Sequence, residues 1–198
     1  SNVITLTLDG AQAVGTDYTA ANLAIGVGEI EDASPAANQN AAISGASITD
    51  GANPVLLSSV TSSPTTIVFT FSEDISYVTS DASFLSTISA TGLNTTGASV
   101  SDPAGASSVI TLTLDGAQAI SADYSAANLA IGANEVEDVS AGTLSNAAIS
   151  GASITDGIAP TLLSAVTTST TTIVFTFSED ISYVTSDASF LSTISATG

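Results

Sequence analysis

The side chains that could do chemistry in this sequence are carboxylates and little else. It holds 19 Asp and Glu residues but no Lys, Arg or His, and no Cys, Met or Trp. Without an imidazole, a thiolate or an amine, Ser-His-Asp, Cys-His and Schiff-base schemes are impossible. A carboxylate pair flanking a glycosidic bond is an enzymatic arrangement still open, with Glu73 and Asp74, or Glu135 and Glu137, as its candidates. Near-identical copies of these residues elsewhere in the chain argue against a dedicated pair. Thr49, Asp50 and Gly51 run in the wrong order for an aspartic-protease motif. The expectation is a protein that is not an enzyme.

Hard cations suit these residues better, because Ca2+ takes several oxygens at once. Carboxylates cluster near expected strand ends: Glu73 and Asp74; Glu135, Glu137 and Asp138; and Asp156. Their repeat equivalents are Glu179 and Asp180; Glu29, Glu31 and Asp32; and Asp50. No stretch matches the calcium loop D-x-[DN]-x-[DN]-G. A calcium site would therefore be assembled at one pole from a strand end, the loop before the last strand and an interdomain joint, which it would stiffen. The plainer alternative is solvated acids that keep an apolar chain in solution. Asn94, Thr95 and Thr96 form an N-x-[ST] sequon, which makes Asn94 a candidate glycosylation site. Tyr18, Tyr77, Tyr124 and Tyr183 read as rings whose hydroxyls bond to backbone, or as an exposed pair contacting sugars.

Net charge narrows the partners. At −19, with a pI near 4.1, the surface repels phosphate backbones and anionic lipid, so nucleic acid is excluded as a partner. No apolar run approaches the ~20 residues of a spanning helix, so direct membrane insertion is not expected. The lack of easily oxidised side chains, and of Lys or Arg for trypsin-like proteases, suits an extracellular or cell-surface location.

What must position the carboxylates is an internal repeat. SVITLTLDGAQA at 108–119 answers NVITLTLDGAQA at 2–13, and ITDG at 154–157 answers 48–51, at an offset of 106 residues. Residues 65–92 recur without change as 171–198. The joints fall at ITDGANP (48–54) and ITDGIAP (154–160), where Asp-Gly and Pro break any strand. The expected division is a C-terminal half-unit at 1–51, a complete unit at 52–157 and an N-terminal half-unit at 158–198. An isolated half-unit would leave unpaired edges and an open core. Either neighbouring repeats of a longer chain complete it, or copies of the protein pair head to tail, lacking only counterparts of the polar loop 93–106.

Within a unit the apolar residues alternate. In TTIVFTF, Ile67, Phe69 and Phe71 share one face, and in SVITLTL, Ile110, Leu112 and Leu114 do the same. Further strands are expected at 55–60, 84–90, 98–101, 129–136 and 147–154, and a single helical turn is possible at 16–24 and 122–130. Roughly seven strands per unit of about 100 residues suggest an all-β fold of tandem immunoglobulin-like sandwiches.

TTIVFTFSEDIS, then ITLTLDGAQA with a tyrosine after it, then the acidic EIEDAS before the joint, resembles the bacterial immunoglobulin-like repeats of large surface adhesins, stalks and surface layers. The resemblance implies an extracellular structural protein, a stalk or a self-assembling filament completed by half-domain strand complementation. An adhesin binding a glycan or protein, or a surface-layer protein, is the alternative. Differences between units, such as Gly28 for Asn134 and Pro35 for Ala141, look like loop drift rather than tuned recognition.

Overall fold

A computed structural model describes residues 2–9, 18–103, 107–139 and 143–195. The described chain is mostly β, built from several small antiparallel sheets. It starts with a hairpin-like pair, β1 (Ala20–Ile25) and β2 (Ile43–Ile48). Eight strands follow between residues 52 and 157: β3 (Leu56–Ser63), β4 (Thr66–Phe71), β5 (Ile75–Tyr77), β6 (Ser99–Val100), β7 (Val109–Thr113), β8 (Ala126–Ile131), β9 (Val136–Asp138) and β10 (Ile149–Ile154). The chain continues through β11 (Leu162–Ser169) and β12 (Thr172–Phe177). Two short helices, α1 (Asp81–Thr87) and α2 (Asp187–Thr193), complete the elements discussed below.

The period-2 pattern produces the core directly. Along β4, Ile67, Phe69 and Phe71 point inward and are at most 1% exposed, while Thr66, Val68 and Thr70 face the other way. β4 lies between β3 and β7 in the sheet order β3-β4-β7-β6, with Phe69 opposite Ile110 and Ile67 opposite Leu112. Leu129 and Ile131 of β8, Val136 of β9 and Ile154 of β10 join the same cluster. All of its fully buried residues lie between 67 and 154. A parallel bridge from Val60 to Thr155 ties the end of β10 to β3, reinforced by the Ser59 hydroxyl, which donates to the Ser153 carbonyl at 2.6 Å.

The sheet registers recur 106 residues apart. Leu162 faces Phe177 as Leu56 faces Phe71, and Ala20 faces Ile48 as Ala126 faces Ile154.

Two expected strands come out differently. Residues 84–90 do not form a strand, because α1 occupies 81–87. Ser80 caps it by accepting from the Ser83 amide at 3.1 Å, and Asp81 places negative charge in the first turn, where the helix dipole favours it. Its buried residue, Phe84, meets Phe69 edge-on at 6.2 Å and Tyr77 at 5.5 Å. The run 129–136 is not one strand but the end of β8, a turn with Asn134 at φ 58°, and the start of β9. At 122–130 there is a turn at 122–123 and then β8, with no helix; residues 16–17 of the earlier copy lie outside the described residues, as do 104–106 of the polar loop.

Asn146 makes the break between β8 and β9 possible. It is 2% exposed; its Oδ1 accepts from the Glu135 and Val136 amides, and its Nδ2 donates to the Gly132 and Ala147 carbonyls, all at 2.8–3.0 Å. Asn40 does the same for Gly26, Ile30 and Ala41. Asn146→Ala should therefore destabilise the unit by about 3 kcal/mol, since it strands several buried backbone groups at once. Denaturant unfolding would show this as a lower midpoint with an unchanged m-value.

Candidate metal centre

Three carboxylates from distant parts of the sequence meet at one end of the core. One oxygen from each of Asp50, Glu73 and Asp138 lies within 4.8 Å of the others. Each is placed by a different element. Asp50 follows β2, in the ITDG joint, and its Oδ1 accepts from the Ala52 amide at 2.9 Å, which folds the backbone back as an Asx-turn. Glu73 sits just beyond β4, and its Oε1 accepts from the Ser72 hydroxyl at 3.3 Å. That hydroxyl also receives the Val55 amide at 3.0 Å. Asp138 ends β9 opposite Ile75, and its Oδ2 accepts from the Leu144 amide at 3.2 Å. Asn53 straps the joint down by donating to the Ser145 carbonyl at 2.7 Å.

Glu73 and Asp138 are at most 4% exposed, and Asp50 is half-buried. The Asp50 Oδ2 atom is itself buried and receives no hydrogen bond. Two unit charges about 4 Å apart repel by about 4 kcal/mol at an effective dielectric constant of about 20. No Lys, Arg or His exists anywhere in the chain to offset this. Hydroxyl and amide donors supply compensation at each of the three. The donor set, three hard oxygen ligands from three segments, has the chemistry that Ca2+ uses.

The expected residues divide clearly. The structure brings Glu73, Asp138 and the joint residue Asp50 together. Asp74 is exposed, and Glu137, adjacent to Asp138 in β9, projects to the opposite face. Glu135 binds elsewhere, accepting from the Ser83 hydroxyl of α1 at 2.9 Å. Asp156 lies at the next joint, where its Oδ1 accepts from the Ile158 amide at 2.8 Å and the Thr61 hydroxyl at 3.2 Å. There it adjoins Glu179, whose Oε1 is buried without a hydrogen bond. Desolvation, then the charges of Asp156 and Asp123, push the Glu179 carboxyl above its ordinary range. Asp180, Glu29, Glu31 and Asp32 are exposed.

Asn94 is exposed, and its amide donates to Gln118 while its Oδ1 accepts from the Thr96 amide at 3.0 Å. Tyr18 and Tyr183 are exposed, while the other two of the four tyrosine hydroxyls bond to backbone, Tyr77 donating to the Ser101 carbonyl at 2.7 Å and Tyr124 to the Thr91 carbonyl at 2.8 Å. Burial raises both phenols above the usual range, and for Tyr77 the nearby charges of Asp81 and Asp102 add to it.

Asn146 and Ser72, which shape the site without carrying charge, were not legible as site residues. A hydroxyl directly before the acids Glu73 and Asp74 and an Asn eight residues after Asp138 give little signal in a chain so rich in Ser and Asn. Compared with family models, curated proteins and solved structures, the chain matched none.

Asp32 shows how hydroxyl and amide donors replace cations. Hydrogen bonds from the side chains of Ser34 and Asn38, joined by their backbone amides, hold its carboxyl down at about 2. A depressed carboxyl contributes stability above its ordinary value of 3.8 and loses it as pH falls through about 2. The 32–38 loop should thus hold its hydrogen bonds at pH 4 and release them near about 2. Carbon-detected NMR titration of the Asp32 carboxyl, with the Asn38 amide moving in parallel, would check this; a midpoint near 3.8 would show the loop bonds do not persist in solution.

Proposed function

We propose that this chain is an extracellular structural repeat protein, a stalk or filament built from immunoglobulin-like β-sandwich units whose joints are clamped by Ca2+. The observation that carries the reading is the reuse of one register 106 residues apart, in β3 with β4 and in β11 with β12. Tandem copies of one small domain provide reach and mechanical continuity, and each unit needs only its neighbours. The carboxylate cluster supports the second half of the proposal, because Asp50 comes from the joint while Glu73 and Asp138 come from the unit beyond it. A cation shared by the three would fix the angle between successive units. With no side chain for imidazole, thiol or amine chemistry, the role is structural rather than catalytic.

Calcium at about 100 times its Kd should stabilise the central unit by about 2.7 kcal/mol relative to chelator. For a domain of roughly 100 residues that raises the Tm by about 13 °C. Glu73→Gln should melt higher than wild type in chelator, since it relieves repulsion, and should lose most of the calcium increment. Identical melting of the wild type in calcium and in chelator would rule out the clamp.

A further inference from the structure

We infer that Asp115 is a modification site, where the backbone amide of Gly116 attacks the side-chain carboxyl and converts the residue to isoaspartate, and that the fold holds the same reaction back at Asp156 in the joint. Asp-Gly is the dipeptide in which this ring closure is least hindered, because glycine leaves the attacking nitrogen uncrowded and the backbone free to rotate. The chain carries it at 9–10, 50–51, 115–116 and 156–157, so the central unit has one copy in a loop and one in its joint.

The reaction needs no reagent but water. The Gly116 nitrogen loses its proton and bonds to the Asp115 Cγ, a carboxyl oxygen leaves as water, and a succinimide ring closes. Water then opens the ring at either carbonyl. One opening restores aspartate; the other leaves the main chain running through Cβ and Cγ, with the former main-chain carbonyl carbon as a free carboxylate. Mass is conserved overall and no electrons are transferred.

At Asp156 both reacting groups are held. The Gly157 amide donates to the Thr61 hydroxyl oxygen at 3.0 Å, while the Asp156 Oδ1 accepts from that hydroxyl at 3.2 Å and from the Ile158 amide at 2.8 Å. Thr61 itself is fully buried. Just before the pair, the Thr155 amide donates to the Ser59 carbonyl at 2.9 Å and its carbonyl accepts from the Thr61 amide at 3.0 Å. Gly157 lies so close to β3 that a Cβ there would sit 2.4 Å from the Thr61 carbonyl oxygen, which leaves no room for the rotation that ring closure requires.

At Asp115 the same pair is open. Asp115 and Gly116 are exposed, and a Cβ on Gly116 would meet nothing within 4 Å. What holds them is a turn of 3 residues: the Asp115 Oδ1 accepts from the Ala117 amide at 2.9 Å and its carbonyl from the Gln118 amide at 2.8 Å. The Gly116 amide, first in the turn, has no acceptor within it. Exposed bonds in so short a turn open at little cost, which frees the carboxyl to meet that amide. The chain on either side is fixed. Leu114 and Ile120 are buried, and their amides donate to the Thr65 and Pro64 carbonyls at 2.7 and 2.8 Å. An extra main-chain atom at 115 must be absorbed between these anchors, so isoaspartate dissolves the turn and leaves the core in place.

The test is prolonged incubation of the full chain at neutral pH with chelator, so that no cation enters, followed by digestion with a protease that cuts before aspartate but not before isoaspartate. Peptide mass spectrometry then reads positions 115 and 156 separately. In the folded chain isoaspartate should accumulate at Asp115 at least about tenfold faster than at Asp156, because only the opened joint reacts. In urea the two rates should become comparable. Gly116→Ala, whose methyl has room, should remove most of the product at Asp115. Thr61→Val should speed the reaction at Asp156 and leave Asp115 unchanged. Equal rates at the two sites in the folded chain, or no isoaspartate at Asp115 in the folded chain when the unfolded chain forms it there, would overturn the inference. That wild-type comparison decides the matter even where Thr61→Val fails to fold.

Discussion

A chain without a single cationic side chain must stabilise every negative charge by other means, and much of the local structure follows from this. Asp115 caps a short 3-10 turn by accepting from the Ala117 amide. Asp81 opens α1, Asp32 organises its loop, and Asp156 turns the second joint through the Ile158 amide. In each case backbone N–H groups take the place of Lys or Arg, which explains why acids concentrate at turns, caps and joints rather than along strands. Three acids, Asp50, Glu73 and Asp138, converge at one end of the core, where the Ala52 and Leu144 amides and the Ser72 hydroxyl donate to them.

The repeat also separates what local sequence dictates from what a partner must supply. The hairpin of β11 with β12 and the capped helix α2 persist with the same geometry as their counterparts in the central unit. Both are closed by contacts only a few residues apart: Ser169 bonds to Thr171 and Thr172 across the turn, and Ser186 caps Ser189. The ISY and VITLT segments, whose strand character depends on partners tens of residues away, become strands only where the partner is present. Loop-closure entropy must be overcome before such pairing is favourable, so identical sequence yields different structure.

This division also marks how far the sequence could be read. Alternation placed β4 and β7 and their inward faces, because that signal is periodic. It did not distinguish Phe84–Ala90 as strand from helix, since Phe84, Leu85 and Ile88 fit a strand's apolar content as well as one helical face, and the deciding feature is the Ser80 cap outside the apolar run. Grouping the acids found Glu73 and Asp138 but also Asp74, Glu135 and Glu137. Which side of a strand end an acid occupies depends on the turn at Asn134 and its lock by Asn146, and neither leaves a pattern in composition.

The position of the carboxylate cluster decides what a ligand shared by its members would do. If Asp50 belonged to the same unit as Glu73 and Asp138, a cation there would stabilise a fold and do nothing for the array. Because it lies in the joint, any ligand shared by the three makes folding of a unit and its alignment with the preceding segment one cooperative event.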